Sequence, residues 1–89
     1  MTTARHRHFL DASGLACPLP VLRARKVLQV MPEGAMLCIT VTDEKAPRDF
    51  EAFCHEAGHR LESVTPTMDG VEIVILRGPR PPEEKEIPL

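Results

Sequence analysis

Two segments of the chain repeat apolar residues at the spacing of an α-helix. In the segment 18–31, apolar residues fall on one side of a helix and basic or polar residues on the other; the apolar ones are Val21, Ala24, Val27, Leu28 and Met31. A helix-stopping run, Pro32-Glu33-Gly34, follows directly. This pattern predicts an amphipathic helix from Pro18 to Met31.

The second helical segment begins near Pro47. Its apolar residues recur at helical spacing, at Ala46, Phe50, Phe53 and Ala57. Gly58 follows, and glycine commonly ends helices because it adopts the left-handed conformation without strain. We therefore predict a second amphipathic helix that ends at Gly58.

Four shorter segments are typical of strands. His8 to Asp11 is a short candidate, and Ala35 to Thr42 alternates between its two sides. Arg60 to Thr65 and Val71 to Arg77 are rich in β-branched residues and are joined through Thr67-Met68-Asp69-Gly70, which predicts an antiparallel hairpin. The order βαβαββ predicts an α+β fold, a two-layer sandwich in which two helices cover one face of a four-stranded mixed sheet.

Composition limits the class of protein. The chain has 89 residues, three cysteines and a net charge of −2, which indicates one domain without a disulfide framework and without a general affinity for nucleic acid. No apolar run is long enough to span a membrane, and the N-terminus does not resemble a secretory signal. We expect a cytoplasmic protein in a reducing compartment, with no membrane contact and no direct nucleic-acid contact.

The two ends of the chain differ from its middle. We predict a flexible N-terminus at residues 1–7 and a folded domain at 8–77. Residues 78–89 combine four prolines and three glutamates with few apolar residues. A segment of that composition cannot bury enough apolar surface to offset its ordering entropy, so we predict a disordered tail.

Cys17 is the candidate for chemistry. It stands in the run Gly14-Leu15-Ala16-Cys17-Pro18-Leu19-Pro20, directly before the first predicted helix. Proline is favoured at the first helical position, so Pro18 there places Cys17 at the N-cap. A thiol at a helix N-terminus feels the positive end of the helix dipole, which can lower its pKa to roughly 3.5–7.5 from about 8.5. We expect the backbone N–H groups of Leu19 and Val21 to point at the sulfur.

A nucleophilic thiol on so small a chain suits carrying a group better than transforming a small molecule. Cys17 would attack the terminal sulfur of a donor protein's persulfide and hold that sulfur as Cys17–S–SH. The plainer alternative is that Cys17 is only a tolerated helix cap and that the neighbouring prolines only mark the start of the helix.

The other candidate sites are weaker. Cys38 lies in the middle of a predicted strand, where a cysteine acts as a small apolar residue, and Cys54 is expected to be partly buried in the second helix. His55 and His59 are four residues apart, but Gly58 ends the helix between them. We therefore expect no metal site. With no glycine-rich phosphate loop in the sequence, we also expect no cofactor site.

Several short motifs follow one another in a distinctive order. They are Leu10-Asp11, Gly14-Leu15, Cys17-Pro18, Pro20-Val21-Leu22, Arg25-Lys26, Thr42-Asp43, Asp49-Phe50, Phe53-Cys54 and Gly58-His59. Together, from about Phe9 to Arg77, they resemble the TusA family of sulfur-carrier proteins. The resemblance implies a persulfide carrier, a sulfurtransferase acting on protein partners. Such a carrier takes sulfur from a cysteine desulfurase or another persulfide donor and passes it to a downstream relay protein.

The resemblance also implies a fold and a set of pathways. Its fold is the same βαβαββ sandwich, similar to the C-terminal domain of bacterial translation initiation factor three. Family members serve tRNA 2-thiolation, molybdenum cofactor synthesis or sulfur oxidation. Members that serve tRNA thiolation typically have an acidic residue where this chain has Leu19. The pathway therefore stays open, while the carrier role is kept.

Partner docking is expected around and after Cys17. The expected docking residues are Pro18, Leu19, Pro20, Arg23, Arg25 and Lys26. The three basic residues among them would suit a partner of opposite charge. The alternative is that they form only a solvated helix face.

Two other functions stay open. The likeness to an initiation-factor domain allows an RNA- or ribosome-binding module, although the acidic balance and the lack of tryptophan and tyrosine count against it. Alternatively, Cys17 is a redox switch that forms a disulfide or a sulfenic acid, for which Cys54 must lie close enough to resolve it. Neither alternative involves sulfur transfer.

Overall fold

The computed structural model describes residues 7–79, which form four strands and two helices. In chain order the elements are β1 Arg7–Ala12, α1 Leu19–Val30, β2 Met36–Val41, α2 Ala46–Ala57, β3 Arg60–Thr67 and β4 Gly70–Leu76. Each lies close to its predicted position, since each has a clear local period and a turn signal at its ends. The predicted order βαβαββ and the α+β class are confirmed.

The strands form one mixed sheet in the order β1-β2-β4-β3. β1 pairs in parallel with β2, and β4 pairs antiparallel with β2 and β3. The predicted hairpin is confirmed, and its loop consists of Met68 and Asp69 between the paired residues Thr67 and Gly70. Because β1 and β2 are parallel neighbours, the loops that follow them leave the same end of the sheet.

Both helices pack on one face of the sheet, which confirms the two-layer sandwich. The core between the layers is apolar, and its largest fully buried side chains are Phe50, Leu28, Leu37, Ile39, Ile73, Ile75, Val41 and Pro20. Leu37, Ile39 and Val41 share the helix-facing side of β2, as their alternation predicts. The core thus holds α1 and α2 side by side over the sheet.

The inner face of α2 differs from its prediction at one position. Ala46, Phe50 and Cys54 are buried and Phe53 packs partly against the core, but Ala57 is exposed. Residues four apart lie on the same side of a helix, so Ala46, Phe50 and Cys54 together form the buried side of α2. Cys54 therefore takes the core position predicted for Ala57, and it is buried.

The described region extends slightly beyond the predicted domain at both ends. Arg7, placed in the predicted flexible N-terminus, pairs with Met36 in the sheet. Gly78, the first residue of the predicted tail, is buried and donates its N–H to His59 Nδ1 at 2.9 Å. A Cβ at this position would lie 1.9 Å from the carbonyl oxygen of Gly58, so the close approach requires glycine.

The rest of the two predicted end segments, residues 1–6 and 80–89, lies outside the described residues. Within 7–79, no helix has the length and apolar character needed to cross a membrane.

Candidate functional site

Cys17 lies in the loop between β1 and α1, one residue farther from the helix than predicted. Pro18 is the N-cap and Leu19 begins α1, so the predicted N-cap position of Cys17 is wrong. The carbonyl of Pro18 accepts the N–H of Leu22 at 3.1 Å. The N–H of Leu19 donates to the carbonyl of Ala16 at 2.8 Å, which closes a turn around Cys17 and leaves that N–H unavailable to the sulfur. The Cys17–Pro18 peptide bond is cis.

The segment after β2 holds the Cys17 loop in place. Asp43 Oδ2 accepts the N–H of Cys17 at 2.7 Å, and Asp43 Oδ1 accepts the N–H of Lys45 at 2.9 Å. Thr42 Oγ1 accepts the N–H of Gly14 at 2.9 Å. The two N–H groups that donate to Asp43 lower the pKa of its carboxyl, and that of Lys45 contributes more than that of Cys17. One ionised side chain thus ties the loop that carries the thiol to the start of α2.

The thiol itself contacts Asp49, in the first turn of α2. Cys17 Sγ donates a hydrogen bond to Asp49 Oδ2. A carboxylate is favourable in the first turn of a helix because it faces the positive end of the dipole. The hydrogen bond to Asp49 raises the pKa of the Cys17 thiol, and desolvation and the negative charge of Asp49 raise it further. The predicted lowering of this pKa is wrong, because the carboxylate stabilises the protonated thiol.

Cys38 and Cys54 lie in different surroundings from Cys17. They are 7% and 3% exposed, whereas Cys17 is partly exposed. Burial raises the pKa of Cys54 to about 11. Burial, and then the charge of Glu72, also raises the pKa of Cys38. Of the three cysteines, Cys17 is the one that solvent and a partner can reach.

Most of the predicted docking residues lie on the outer side of α1. Leu19 and Leu22 are 46% and 47% exposed, and Pro18 is exposed as well. A shallow groove, here called the α1 groove, is lined by Leu19, Leu22, Arg23, Arg25, Lys26 and Gln29. Pro20 is fully buried on the same side of the helix as Ala24, four residues on, so its predicted place in the docking surface is wrong.

The two histidines of the spaced pair occupy different structural settings. His55 lies in α2, Gly58 ends that helix with a φ of 81°, and His59 lies beyond it. The Nδ1 atom of His59 accepts the N–H of Gly78, and its ring centroid lies 5.6 Å from that of Phe53. Residues 7–79 contain no group of three or more His, Cys, Asp or Glu side chains that could hold a metal ion.

Asp43 and Asp49 are the site residues whose roles the sequence does not reveal. Both occur in motifs that carry the family resemblance, yet they are 26 and 32 residues from Cys17 and nothing in the sequence pairs them with it. The usable signal is their position. Asp43 follows a predicted strand, and Asp49 falls in the first turn of a predicted helix, where side chains at one end of a sheet can converge.

These features define a small α+β protein that presents one partly exposed thiol in the loop after β1, beside the segment that follows the parallel strand β2. The sequence model of the family described as Sulfurtransferase TusA matches residues 8–77. The chain therefore belongs to the TusA family.

Known relatives agree with this assignment. The chain is 47% identical over 68 residues to a protein of Neisseria meningitidis serogroup A named as a sulfur carrier, covering 76% of this chain and 90% of that protein. It is 50% identical over 52 residues to the sulfur carrier protein TusA of Allochromatium vinosum, covering 58% of this chain and 68% of that one. The crystal structure of a SirA-like protein from Desulfitobacterium hafniense superposes with a TM-score of 0.69 at 27% identity, covering 80% of this chain and 97% of that chain.

Proposed function

We propose that this protein is a sulfur carrier that holds sulfur as a persulfide on Cys17 and relays it between protein partners. The observation that carries the proposal is the contrast in exposure: Cys17 is partly exposed at the end of the sheet, whereas Cys38 and Cys54 are buried. Membership of the TusA family and the names of the Neisseria and Allochromatium relatives support the same role.

The transfer step needs no cofactor and no external oxidant. The Cys17 thiolate attacks the terminal sulfur of the donor's persulfide, and a new S–S bond forms while the donor's S–S bond breaks. The electron pair of the broken bond leaves with the donor's sulfur, which becomes a thiolate. That thiolate takes up one proton to replace the one that Cys17 loses, so one thiol and one persulfide are present before and after. Asp49 Oδ2 accepts the hydrogen bond from the Cys17 thiol, so it lies beside the proton that Cys17 loses in this step.

We further propose that the donor is a cysteine desulfurase or another protein persulfide and that the acceptor is a downstream relay protein, in the cytoplasm. The α1 groove is the docking surface that this proposal uses, because it combines two exposed leucines with three cations. Protein interfaces commonly have an apolar centre and a polar rim that solvent can reach. This surface carries the apolar Leu19 where family members that serve tRNA thiolation typically have an acidic residue, so it does not point to that pathway in particular. The candidate pathways are tRNA 2-thiolation, molybdenum cofactor synthesis and sulfur oxidation.

The two alternative functions receive less support. A redox switch that pairs Cys17 with Cys54 requires a reactive partner thiol, and Cys54 is buried in the core with a pKa raised to about 11. An RNA-binding module would use the exposed cations of α1, but residues 7–79 expose only Phe9 among large aromatic side chains. RNA binding without persulfide formation would favour that alternative.

The test is loading by a cysteine desulfurase in the presence of cysteine, read by intact-protein mass. We expect a gain of one sulfur atom that dithiothreitol removes. Cys17→Ser should accept none, whereas the matched variants Cys38→Ser and Cys54→Ser should still be loaded. Loading of Cys17→Ser to the level of the parent would overturn the proposal.

A further inference from the structure

The charges around Cys17 are chiefly negative, although the helix that follows it is basic. Cys17 Sγ donates to Asp49, and the N–H of Cys17 donates to Asp43 at 2.7 Å. Within residues 7–79, the charged groups that act on the thiol are these two carboxylates and the cation of Lys45, which opposes them. The negative groups therefore outnumber the positive one where a second sulfur must approach.

We propose that Asp49 and Asp43 make Cys17 selective for persulfides that are neutral or cationic around the reacting sulfur, and that they slow its reaction with small anionic sulfur compounds such as glutathione persulfide. This inference rests on the proposed function. Asp49 is the main determinant because it contacts the sulfur directly, whereas Asp43 acts through the backbone N–H.

The size of the effect follows from Coulomb's law. An attacking reagent must bring its reacting atom into bonding contact with Sγ, and the groups attached to that atom then lie within about 5 Å of the Asp49 carboxylate. One unit of negative charge at that distance slows approach about fourfold in bulk water, and more where a docked partner excludes water. Each further negative charge at the same distance multiplies the slowing by the same factor.

Asp49 also has a structural role that any test must separate from selectivity. It lies in the first turn of α2, where a carboxylate stabilises the helix. It also raises the pKa of Cys17, so its removal changes reactivity toward every reagent. A ratio of two rates within one variant cancels both effects, because both reagents attack the same thiolate of the same folded protein.

The experiment measures alkylation of Cys17 by iodoacetate, which is anionic, and by iodoacetamide, which is neutral, with the labelled residue identified by peptide mass. At low salt, Asp49→Asn should raise the iodoacetate-to-iodoacetamide ratio about fourfold. Asp49→Glu keeps the charge and should keep the ratio of the parent. Asp69→Asn removes an exposed carboxylate in the hairpin loop and should also leave the ratio unchanged.

A second measurement needs no variant. In the parent protein the same ratio should rise with ionic strength, because the Debye length shrinks from about 30 Å at 0.01 M to about 3 Å at 1 M. A ratio that is unchanged by Asp49→Asn and by salt would overturn the inference.

Persulfide loading then links the selectivity to sulfur transfer. Asp49→Asn should gain sulfur from glutathione persulfide faster relative to cysteamine persulfide, which carries a cationic amine, than the parent does. An unchanged relative rate would also overturn the inference. The two proposals fail separately: if no protein donor loads Cys17, the carrier function is wrong, whereas selectivity is judged by the relative rates at which small charged reagents react with Cys17.

Discussion

Cys17 and Cys54 are two thiols whose pKa values are raised by different causes. At Cys17 the first cause is a hydrogen bond to Asp49, in a loop that solvent reaches. At Cys54 the cause is burial, in a helix side that faces the core, and it raises the pKa to about 11. The first cause acts through one rotatable side chain, whereas the second acts through the packing of the whole domain.

The difference bears on the proposed role of Cys17 as the thiol that holds the sulfur. The Cys17 proton is held by a hydrogen bond to one side chain outside the core, so weakening that bond favours the thiolate without any change in the core. Release of the Cys54 proton requires the core to open, because a thiolate in apolar surroundings is unpaired and desolvated. A thiol that rests protonated but can lose its proton suits a carrier. Oxidants attack the thiolate, so the protonated form protects the sulfur until it is used.

The largest effect expected from this difference is in native alkylation. With iodoacetamide at pH 8, Cys17 should be labelled much faster than Cys54, because a thiol of pKa about 11 is ionised in only about one molecule in a thousand and burial hinders it further. Peptide mass spectrometry would follow the two sites. Equal labelling rates in the folded protein would remove the distinction between them, and labelling in denaturant provides the control.

The pH dependence of that labelling carries a definite sign. Because the pKa of Cys17 is raised, its alkylation rate should still be rising with pH above about 8.5, the value at which an ordinary thiol is half ionised. In Asp49→Asn the midpoint should move to lower pH, with about a tenfold higher thiolate fraction at pH 7 for each unit of pKa lost. A midpoint that moves upward in this variant would show that Asp49 does not favour the protonated thiol.

A moderate effect is expected on stability. Cys54→Ser places a hydroxyl among core side chains such as Phe50 and should reduce the free energy of unfolding by about 1–3 kcal/mol, measured in urea. Cys17→Ser should leave the urea midpoint unchanged, because a serine hydroxyl in the same loop can also donate to Asp49. If Cys17→Ser lost as much stability as Cys54→Ser, the Cys17 loop would be part of the stabilising core.

The smallest effect should come from the cations of the α1 groove, on the helix that follows Cys17. Replacing Arg23, Arg25 and Lys26 together by Gln should slow loading by the donor a fewfold at low salt, and the deficit should shrink at high salt. Arg60→Gln, which removes an exposed cation on β3, is the matched control. Fast loading of the triple variant at low salt would show that these residues are only a solvated face.

The elements of the fold could be predicted because their signals are local. The apolar period of α1 and the turn between β3 and β4 are each contained in a short stretch of sequence, and both were found close to their predicted positions. Predictions that depended on the direction of a side chain fared less well. Pro20 stands between exposed Leu19 and half-buried Val21, but it lies four residues before buried Ala24 and eight before buried Leu28. The period of α1 therefore already places Pro20 on the buried side, and the docking prediction did not apply that spacing to it.

By itself, the sequence determined the α+β class, the order of the elements and the choice of Cys17 as the thiol before the first helix. Only the tertiary structure decided which charged groups surround the sulfur of Cys17. Parallel pairing of β1 with β2 brings the segments that follow them together. Asp43 and Asp49 thereby contact Cys17, which lies 26 and 32 positions earlier in the chain. Local periodicity cannot encode that approach, because it depends on where whole elements pack and not on the residues between them. The carboxylates therefore reversed the shift in pKa that the helix dipole alone predicts.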